Sequence, residues 1–459
     1  MSELRALIQS PCHVHFIGIG GAGMCPLAEI LHARGFTITG SDSGESETLE
    51  RVRALGIPVS LPQSAENITG REDLIVFTAA LLPDNPELVA AQTSGIPTME
   101  RSKLLGAMSE GYDNTIGVCG THGKTTVTAM ITHILLRCGK DPSAIIGGKL
   151  PLTQTNGISG SQDTMVVESC EYKDTFLDIS PTTAVILNID ADHMEYFKTM
   201  ENLRASFVRF ARRAQTVIYN ADDEHTRRAV AELVDAKTVS VGLGEECAVR
   251  AVDCALEKML PRFTLVADGA QQGRVTLLTP GAHNVHNALA ALTAAHLAGC
   301  SWAEAIDAVA SFGGAGRRFE IMATVGGITI ADDYAHHPKE LEVTLNAAMG
   351  MGYRKVWAIF QPFTFSRTFM LLDDFARVLQ IPDYTVLTEI KGSREVNTWG
   401  VHVSQLAQKM PGSVWYETFE ETAQYVLDRV QPGDLVLTLG CGDPYKVGRM
   451  ITEQMTEGR

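Results

Sequence analysis

Short, wholly apolar runs recur along this chain, separated by stretches with helical spacing, and few folds accommodate that alternation. The runs are VHFIGI (14–19), TITGSD (37–42), LIVFTA (74–79), TIGVCG (115–120), MVVES (165–169), AVILNI (184–189), VIYN (217–220), ITIADD (328–333), KVWAIFQ (355–361), YTVLTEI (384–390) and LVLTLG (435–440). A strand buried on both faces reads as a continuous apolar run, and helices between such strands place them in parallel α/β sheets. Residues 248–278 alternate more and carry a turn at Asp268-Gly269, which predicts an antiparallel β insertion. At 459 residues the chain is too long for one core. The βα pattern restarts near 108–114 and again near 311–317. Three α/β domains are therefore expected, at 1–108, 109–313 and 314–459.

Charge and hydropathy narrow the function classes. The formal net charge is −16, which disfavours a nucleic-acid backbone or an anionic membrane as main partner. No apolar run approaches the roughly 20 residues of a membrane helix. The N-terminus lacks the basic start and apolar stretch of a secretory signal, so a cytoplasmic location is expected. Nine cysteines without a CxxC pair read as reduced thiols.

The sharpest chemical signal is Thr115-Ile-Gly-Val-Cys-Gly-Thr-His-Gly-Lys-Thr-Thr126. A buried strand runs into a glycine-rich turn and then a helix marked by Val127, Met130, Ile131, Ile134 and Leu135. Gly120, Thr121, His122 and Gly123 let backbone N–H groups turn onto phosphate oxygens, and the helix N-terminus adds its positive dipole end. Lys124 can reach β- and γ-phosphates, and a hydroxyl of Thr125 or Thr126 can ligate Mg²⁺. The spacing departs by one residue from the commonest phosphate-loop pattern. The alternative is a plain strand-to-helix turn.

A second glycine turn, Val14-His-Phe-Ile-Gly-Ile-Gly-Gly-Ala-Gly-Met24, also leaves a strand and enters a helix. Gly18, Gly20 and Gly23 fit G-x-G-x-x-G, with Asp42 about twenty residues on. The physical content is a backbone cradle for a diphosphate at Gly20, Gly21, Ala22 and Gly23. A dinucleotide or a UDP group satisfies it equally, and close helix–strand packing is the plainer alternative. Glu168, Asp190, Asp192 and His193 follow two other strands, at the ends where open α/β sheets build ligand sites. A carboxylate and a histidine flanking a phosphate loop suit Mg²⁺ or Mn²⁺ bridging ATP and a substrate.

These motifs, with Gly281-Ala-His-Asn-Val-His-Asn-Ala288, Arg317-Arg-Phe-Glu320, Asp332-Asp-Tyr-Ala-His-His-Pro338 and Ser366-Arg367, occur in the order found in Mur ligases. Over nearly its whole length the chain resembles that family. The segments 332–338 and 361–368 resemble the alanine-adding branch more than the relatives that add D-glutamate, a diamino acid or a dipeptide. The resemblance implies a Rossmann-like UDP-sugar domain, a central mononucleotide-binding domain of phosphate-loop type, and a C-terminal Rossmann-like domain for the amino acid. It implies ATP-dependent joining of L-alanine to the carboxylate of UDP-N-acetylmuramate, with Mg²⁺, in peptidoglycan precursor synthesis.

Residue by residue, it gives Lys124 and Thr125 phosphate and Mg²⁺ contacts, and Glu168 and His193 metal-site roles. Asn284 and Asn287 resemble the pair that reads adenine, whose edge needs both donors and acceptors. As plain structure they would cap the helical stretch 288–297. Arg318 and Asp333 resemble γ-phosphate and ribose contacts. Tyr334, His336 and Arg367 resemble residues that position the carboxylate substrate and alanine, with His336 a candidate general base. Phe363 stands where the family often has His. Residues 389–400 and Glu168-Ser-Cys-Glu-Tyr-Lys173 also depart from the usual pattern. The alternatives are a murein-peptide ligase adding a recycled tripeptide to the same sugar, a nicotinamide-dependent oxidoreductase using the first glycine turn, and a non-catalytic nucleotide sensor.

Overall fold

Every apolar run read from the sequence forms a strand, and the strands assort into three sheets. The computed structural model describes residues 3–457 apart from Asp235 and Arg394. The first sheet runs in the order Val59–Ser60, Thr37–Ser41, His13–Ile17, Leu74–Phe77, Thr98–Glu100, with every pair parallel. Thr37–Ser41 lies to one side of His13–Ile17 and Leu74–Phe77 to the other. The order therefore reverses beside the glycine turn after Ile17, where open α/β sheets form a ligand crevice.

Among the described residues the second sheet has ten strands in the order Ala270–Thr276, Leu260–Ala267, Val249–Glu257, Lys237–Gly242, Thr216–Asn220, Thr183–Ile186, Asn114–Cys119, Thr164–Glu168, Ser143–Leu150, Thr155–Ile158. The expected β insertion occupies one edge, and Asp268 (φ 53°) with Gly269 (φ 73°) makes its tight turn. The opposite edge is an antiparallel hairpin of Ser143–Leu150 with Thr155–Ile158. Asn114–Cys119 sits centrally, paired in parallel with Thr183–Ile186 and Thr164–Glu168, so Cys119, Glu168 and Ile186 end side by side.

The third sheet has the order Glu320–Val325, Ile328–Asp333, Leu435–Leu439, Val356–Phe360, Tyr384–Thr388, Val414–Tyr416, antiparallel only at its first pair.

The chain divides into two compact units. One contains the chain up to Cys254 with Phe263–Val275 and Val285–Phe312. The other contains Ala255–Arg262, Thr276–Asn284 and residues from Gly313 onward. In the first unit one apolar core runs without a break from Val14, Phe16 and Leu27 to Phe176, Phe207 and Phe210. The first two sheets are therefore fastened together by burial. Phe210 stacks on Phe176 at 4.8 Å, and a Cβ on Gly117 would lie 2.9 Å from its ring. Truncating Phe210 to Ala would cost about 3–5 kcal/mol. In the second unit separate apolar clusters cover the two faces of the third sheet. Among the described residues no helix is long and apolar enough to cross a membrane, and all nine cysteines are free.

Candidate active site

The turn between strand Asn114–Cys119 and helix Lys124–Arg137 has the form of a candidate anion site. Gly123 starts the helix at φ 85°, where side chains are strained, and a Cβ there would lie 2.8 Å from Asn287 Oδ1. Glycine is required at that position, and Asn287 is brought against the loop. Among the described residues the N–H groups of Gly123, Lys124 and Thr126 donate to no protein acceptor. They are the open first-turn donors of a helix, where phosphate is favoured.

Asn188 shapes this loop. Its side-chain oxygen accepts from His122 N at 2.8 Å, its amide donates to His122 O at 3.0 Å, and its carbonyl accepts from Thr121 N at 3.1 Å. Asp190 N donates to Thr121 Oγ1 at 2.9 Å. Lys124 Nζ donates to the carbonyls of Gly120 at 2.6 Å and Thr121 at 3.1 Å and pairs with Glu171 at 3.0 Å. Burial alone would lower the ammonium pKa. The negative charge of Glu171, with that of Glu168, outweighs burial and moves it upward, so Lys124 is a fixed cation.

Thr125 Oγ1 donates to Glu168 Oε1 at 3.1 Å, and Glu168 Oε2 accepts from Gly147 N at 2.8 Å. These are hard oxygen donors of the kind Mg²⁺ takes. His193, at φ 54°, lies on a separate turn with its ring 4.6 Å from that of Tyr172. Asp192 and Glu195 flank it at 3.8 and 3.7 Å. Among the described residues no hydrogen bond or ion pair joins His193 to Glu168. Nor does any group of three His, Cys, Asp or Glu side chains gather as a metal cage. One or two protein oxygens completed by phosphate and water is the usual manner for Mg²⁺.

In the N-terminal glycine turn most N–H groups are spent within the protein. Gly18 and Ile19 donate to Ser41 O at 2.8 and 3.0 Å, Gly20 to Asp42 Oδ2 at 2.9 Å, and Gly21 to Gly18 O at 3.1 Å. Asp42 also accepts from Ser43 N at 2.7 Å, so it braces the turn. Among the described residues Ala22 and Gly23 keep the open N–H groups, which narrows the expected four-residue cradle to two. A Cβ on Gly23 would meet the Arg101 guanidinium at 3.1 Å, placing a cation beside those donors.

One hairpin touches both loops. On its first strand, a Cβ at Gly147 would lie 2.5 and 2.8 Å from the Glu168 carboxylate oxygens and 2.8 Å from Thr125 Oγ1. On its second strand, Asn156 Nδ2 donates to Ala22 O at 3.0 Å, and a Cβ at Gly157 would lie 2.7 Å from Pro26 Cα. The strands are in register at Ala144–Ile158 and Ile145–Gly157. The two glycine loops thus belong to one continuous construction.

In the second unit the expected residues converge at the ends of Ile328–Asp333 and Leu435–Leu439. Arg317 is a strut. Its Nε donates to Asp332 at 2.7 Å, its other nitrogens to Gly442 O at 3.0 Å and Gly440 O at 2.6 Å, and it lies over Tyr334 and Tyr445. Arg318 lies over Tyr334 at 5.3 Å. Buried Asp333 accepts from Phe319 N and Ala335 N, each at 2.8 Å. Burial pushes its pKa up to about 6, against Arg318 and those two N–H groups.

The His336 ring is edge-on to Tyr334 at 5.6 Å, with Nδ1 3.1 Å from Tyr334 O and 3.3 Å from Glu340. Burial lowers its pKa; Glu340 opposes this, and the cations Arg367 and Arg318 reinforce it. Arg367 sits on helix Phe365–Met370, whose Ser366 N donates to Glu395 at 2.8 Å. In the divergent 389–400 segment, Arg394 lies outside the described residues. Helix Asn284–Leu297 starts four residues before the expected 288. Asn287 is consequently inside its first turn rather than ahead of it, while Asn284 donates to Pro280 O at 2.7 Å.

Three family models match the chain in order: "Mur ligase family, catalytic domain" over residues 13–113, "Mur ligase middle domain" over 118–295, and "Mur ligase, glutamate ligase domain" over 317–442. A UDP-N-acetylmuramate–L-alanine ligase of Acetivibrio thermocellus is 40% identical over 448 residues, covering 96% of this chain and 95% of the relative.

The chain belongs to the Mur ligase family.

A like-named Mur ligase of Agathobacter rectalis is 40% identical, with 97% of this chain and 98% of that one covered. The crystal structure of the UDP-N-acetylmuramate–alanine ligase of Thermotoga maritima superposes with a TM-score of 0.85 at 28% identity, covering 98% of this chain and 100% of that chain. A murein peptide ligase from Psychrobacter arcticus shares the fold, with a TM-score of 0.76 at 22% identity over 97% and 98% of the two chains. In this Mur ligase the sequence reading missed Glu171 as the partner of Lys124, Arg101 beside Gly23, and the Gly147 and Asn156 contacts of the hairpin. Glu171 had a signal as the second glutamate of the segment 168–173. The hairpin residues, polar and glycine-rich, had none.

Proposed function

We propose that this Mur ligase joins L-alanine to the lactyl carboxylate of UDP-N-acetylmuramate, using ATP, as an early step of peptidoglycan precursor synthesis in the cytoplasm. The single observation that carries the reading is the hairpin 143–158, which spans from the Thr125–Glu168 pair to the Ala22 carbonyl. That arrangement serves a phosphoryl transfer between two bound nucleotides, which neither a nicotinamide oxidoreductase nor a nucleotide sensor requires. The names of relatives at 40% identity point to the same substrate pair. On this reading residues 1–108 bind the UDP-sugar, 109–313 bind ATP, and 314–459 bind the amino acid.

The open N–H groups of Ala22 and Gly23, with Arg101 alongside, would take the UDP diphosphate. The loop 120–126 would take the ATP phosphates, and Asn284 and Asn287 the adenine end. A carboxylate cannot acylate an amine in water because its leaving group is too poor, so attack on the γ-phosphorus to give an acyl phosphate and ADP comes first. Lys124 and Arg318 would spread the charge on the transferred group. Thr125 and Glu168, with His193 as an outer contributor, would hold Mg²⁺ (or Mn²⁺), which supplies charge neutralisation on phosphate oxygens when bound.

The alanine amine then attacks the acyl carbon and phosphate leaves. His336 suits the proton acceptor because its lowered pKa keeps it neutral. Its Nδ1 is directed at Tyr334 O, which leaves Nε2 as the basic nitrogen. Tyr334 and Arg367 would orient the amino acid. Asp333 retains lone pairs for a ribose hydroxyl beyond those its two backbone donors use.

The test is ADP release with UDP-N-acetylmuramate, screened across L-alanine, other amino acids and the L-alanyl-γ-D-glutamyl-diaminopimelate tripeptide. Release that depends on both the UDP-sugar and L-alanine is expected. Release with the tripeptide alone would reassign the chain to peptide recycling.

A further inference from the structure

The contacts around Asn156 exceed what a hairpin edge needs for packing. Asn156 is buried. Its Nδ2 donates to Ala22 O at 3.0 Å, and its Oδ1 accepts from Arg51 at 2.8 Å. Arg51 also pairs with Glu29 at 2.8 Å and donates to Cys25 Sγ at 2.9 Å. The second Glu29 oxygen accepts from Thr155 at 3.2 Å. Of three consecutive residues, Asn156 is thus fixed to the N-terminal glycine turn, and Thr155 and Gly157 to the helix that follows it.

Ala22 O and Gly23 N–H belong to one planar peptide, so they lie on opposite sides of its axis. A donor that holds the carbonyl therefore sets the direction of the N–H. Ala22 and Gly23 are the two residues of the turn whose N–H groups stay open among the described residues. Arg51 in turn fixes the amide of Asn156, since a guanidinium on Oδ1 leaves Nδ2 facing the carbonyl. The same hairpin carries Gly147 over Glu168 and Thr125.

We propose that Asn156, held by Arg51 and Glu29, is a positioning residue for the sugar-nucleotide diphosphate: it orients the Ala22–Gly23 peptide and ties it to the ATP-side loop. The inference rests on the proposed function, because it assigns the N-terminal turn to a diphosphate.

The experiment measures binding of UDP and of UDP-N-acetylmuramate by calorimetry on the full chain, beside steady-state KM values and melting temperature. Asn156→Ala removes the donor. Asn156→Asp keeps an acceptor for Arg51 but sets a carboxylate against the Ala22 carbonyl, so it separates the positioning effect from loss of the hairpin. In both variants Kd for UDP should rise about three- to tenfold or more, the range for losing one orienting hydrogen bond. The KM for the UDP-sugar should rise with it. The KM for ATP should stay within about twofold, and Asn156→Asp should melt within a few degrees of wild type.

Unchanged UDP binding in a folded Asn156→Asp variant overturns the proposal, as does an equal rise in both KM values. If the wild-type protein itself does not bind UDP, the functional reading fails instead, and the two failures are told apart by that control.

Discussion

Replacing Gly147 by alanine separates stability from chemistry. Gly147 is exposed and its φ lies outside the left-handed region, so the backbone tolerates a side chain. Alanine at such a position stabilises by about 0.4–1 kcal/mol through the unfolded chain. Its Cβ, however, would stand 2.5 and 2.8 Å from the Glu168 oxygens and 2.8 Å from Thr125 Oγ1. Real contacts of that kind begin near 3.4 Å, so the carboxylate must move by roughly half an ångström or more. That displacement breaks its bond to Thr125, 3.1 Å in the native arrangement. A hydrogen bond to a charged group contributes about 1.5–3 kcal/mol, which corresponds to about ten- to a hundredfold in rate.

Gly147→Ala should therefore reduce substrate-dependent ADP release by that factor and shift the Mg²⁺ titration to higher concentration. Its melting temperature should stay within a few degrees of wild type. ADP release against Mg²⁺ concentration, with a thermal melt of the same sample, checks all three. A variant with wild-type turnover and an unchanged Mg²⁺ titration would refute the placement of Thr125 and Glu168 at the reacting phosphate.

Other consequences follow from the same geometry. Lys124→Ala should slow turnover by at least ~10²–10³-fold; near-normal single-turnover rates would remove Lys124 from the chemistry. His193→Ala should raise the Mg²⁺ requirement, and an identical titration would assign His193 to its turn against Tyr172 alone. Asp333, with its pKa raised to about 6, should lose its acceptor role as pH falls through 6, so the KM for ATP should climb there and Asp333→Asn should flatten the climb. In stability the sign is reversed. A raised folded-state pKa contributes stability that is fully present below about pH 4 and lost as pH rises through 6, up to about 3 kcal/mol. Urea unfolding between pH 4 and 7 should show that loss in wild type and not in Asp333→Asn.

The sequence disclosed what repeats a strong local pattern. Runs such as Val356–Phe360 and Leu435–Leu439 are buried throughout, and burial on both faces is what writes a continuous apolar run. Glycine loops were legible because positive φ and close approach exclude other residues, as at Gly123. Val59–Ser60, Thr98–Glu100 and Val414–Tyr416 were not legible, being two or three residues long. The hairpin Ser143–Leu150 with Thr155–Ile158 was missed for a different reason. Its second strand, Thr-Asn-Gly-Ile, is chosen for contacts with Ala22, Glu29 and Pro26. Tertiary function overrode strand propensity there. Glu171 stood out as the second glutamate of 168–173, but its pairing with Lys124 depends on a loop that no local spacing reveals.

In the proposed reaction a phosphoryl group passes from the nucleotide in loop 120–126 to the acid of the sugar nucleotide held at Ala22–Gly23. The direct measurement is oxygen tracing. UDP-N-acetylmuramate carrying ¹⁸O at both oxygens of its lactyl carboxylate is ligated to L-alanine, and the released phosphate is analysed by mass spectrometry. One ¹⁸O atom is expected in each phosphate released, because the bridging oxygen of an acyl phosphate departs with phosphorus. Phosphate free of the label, alongside amide product, would contradict it.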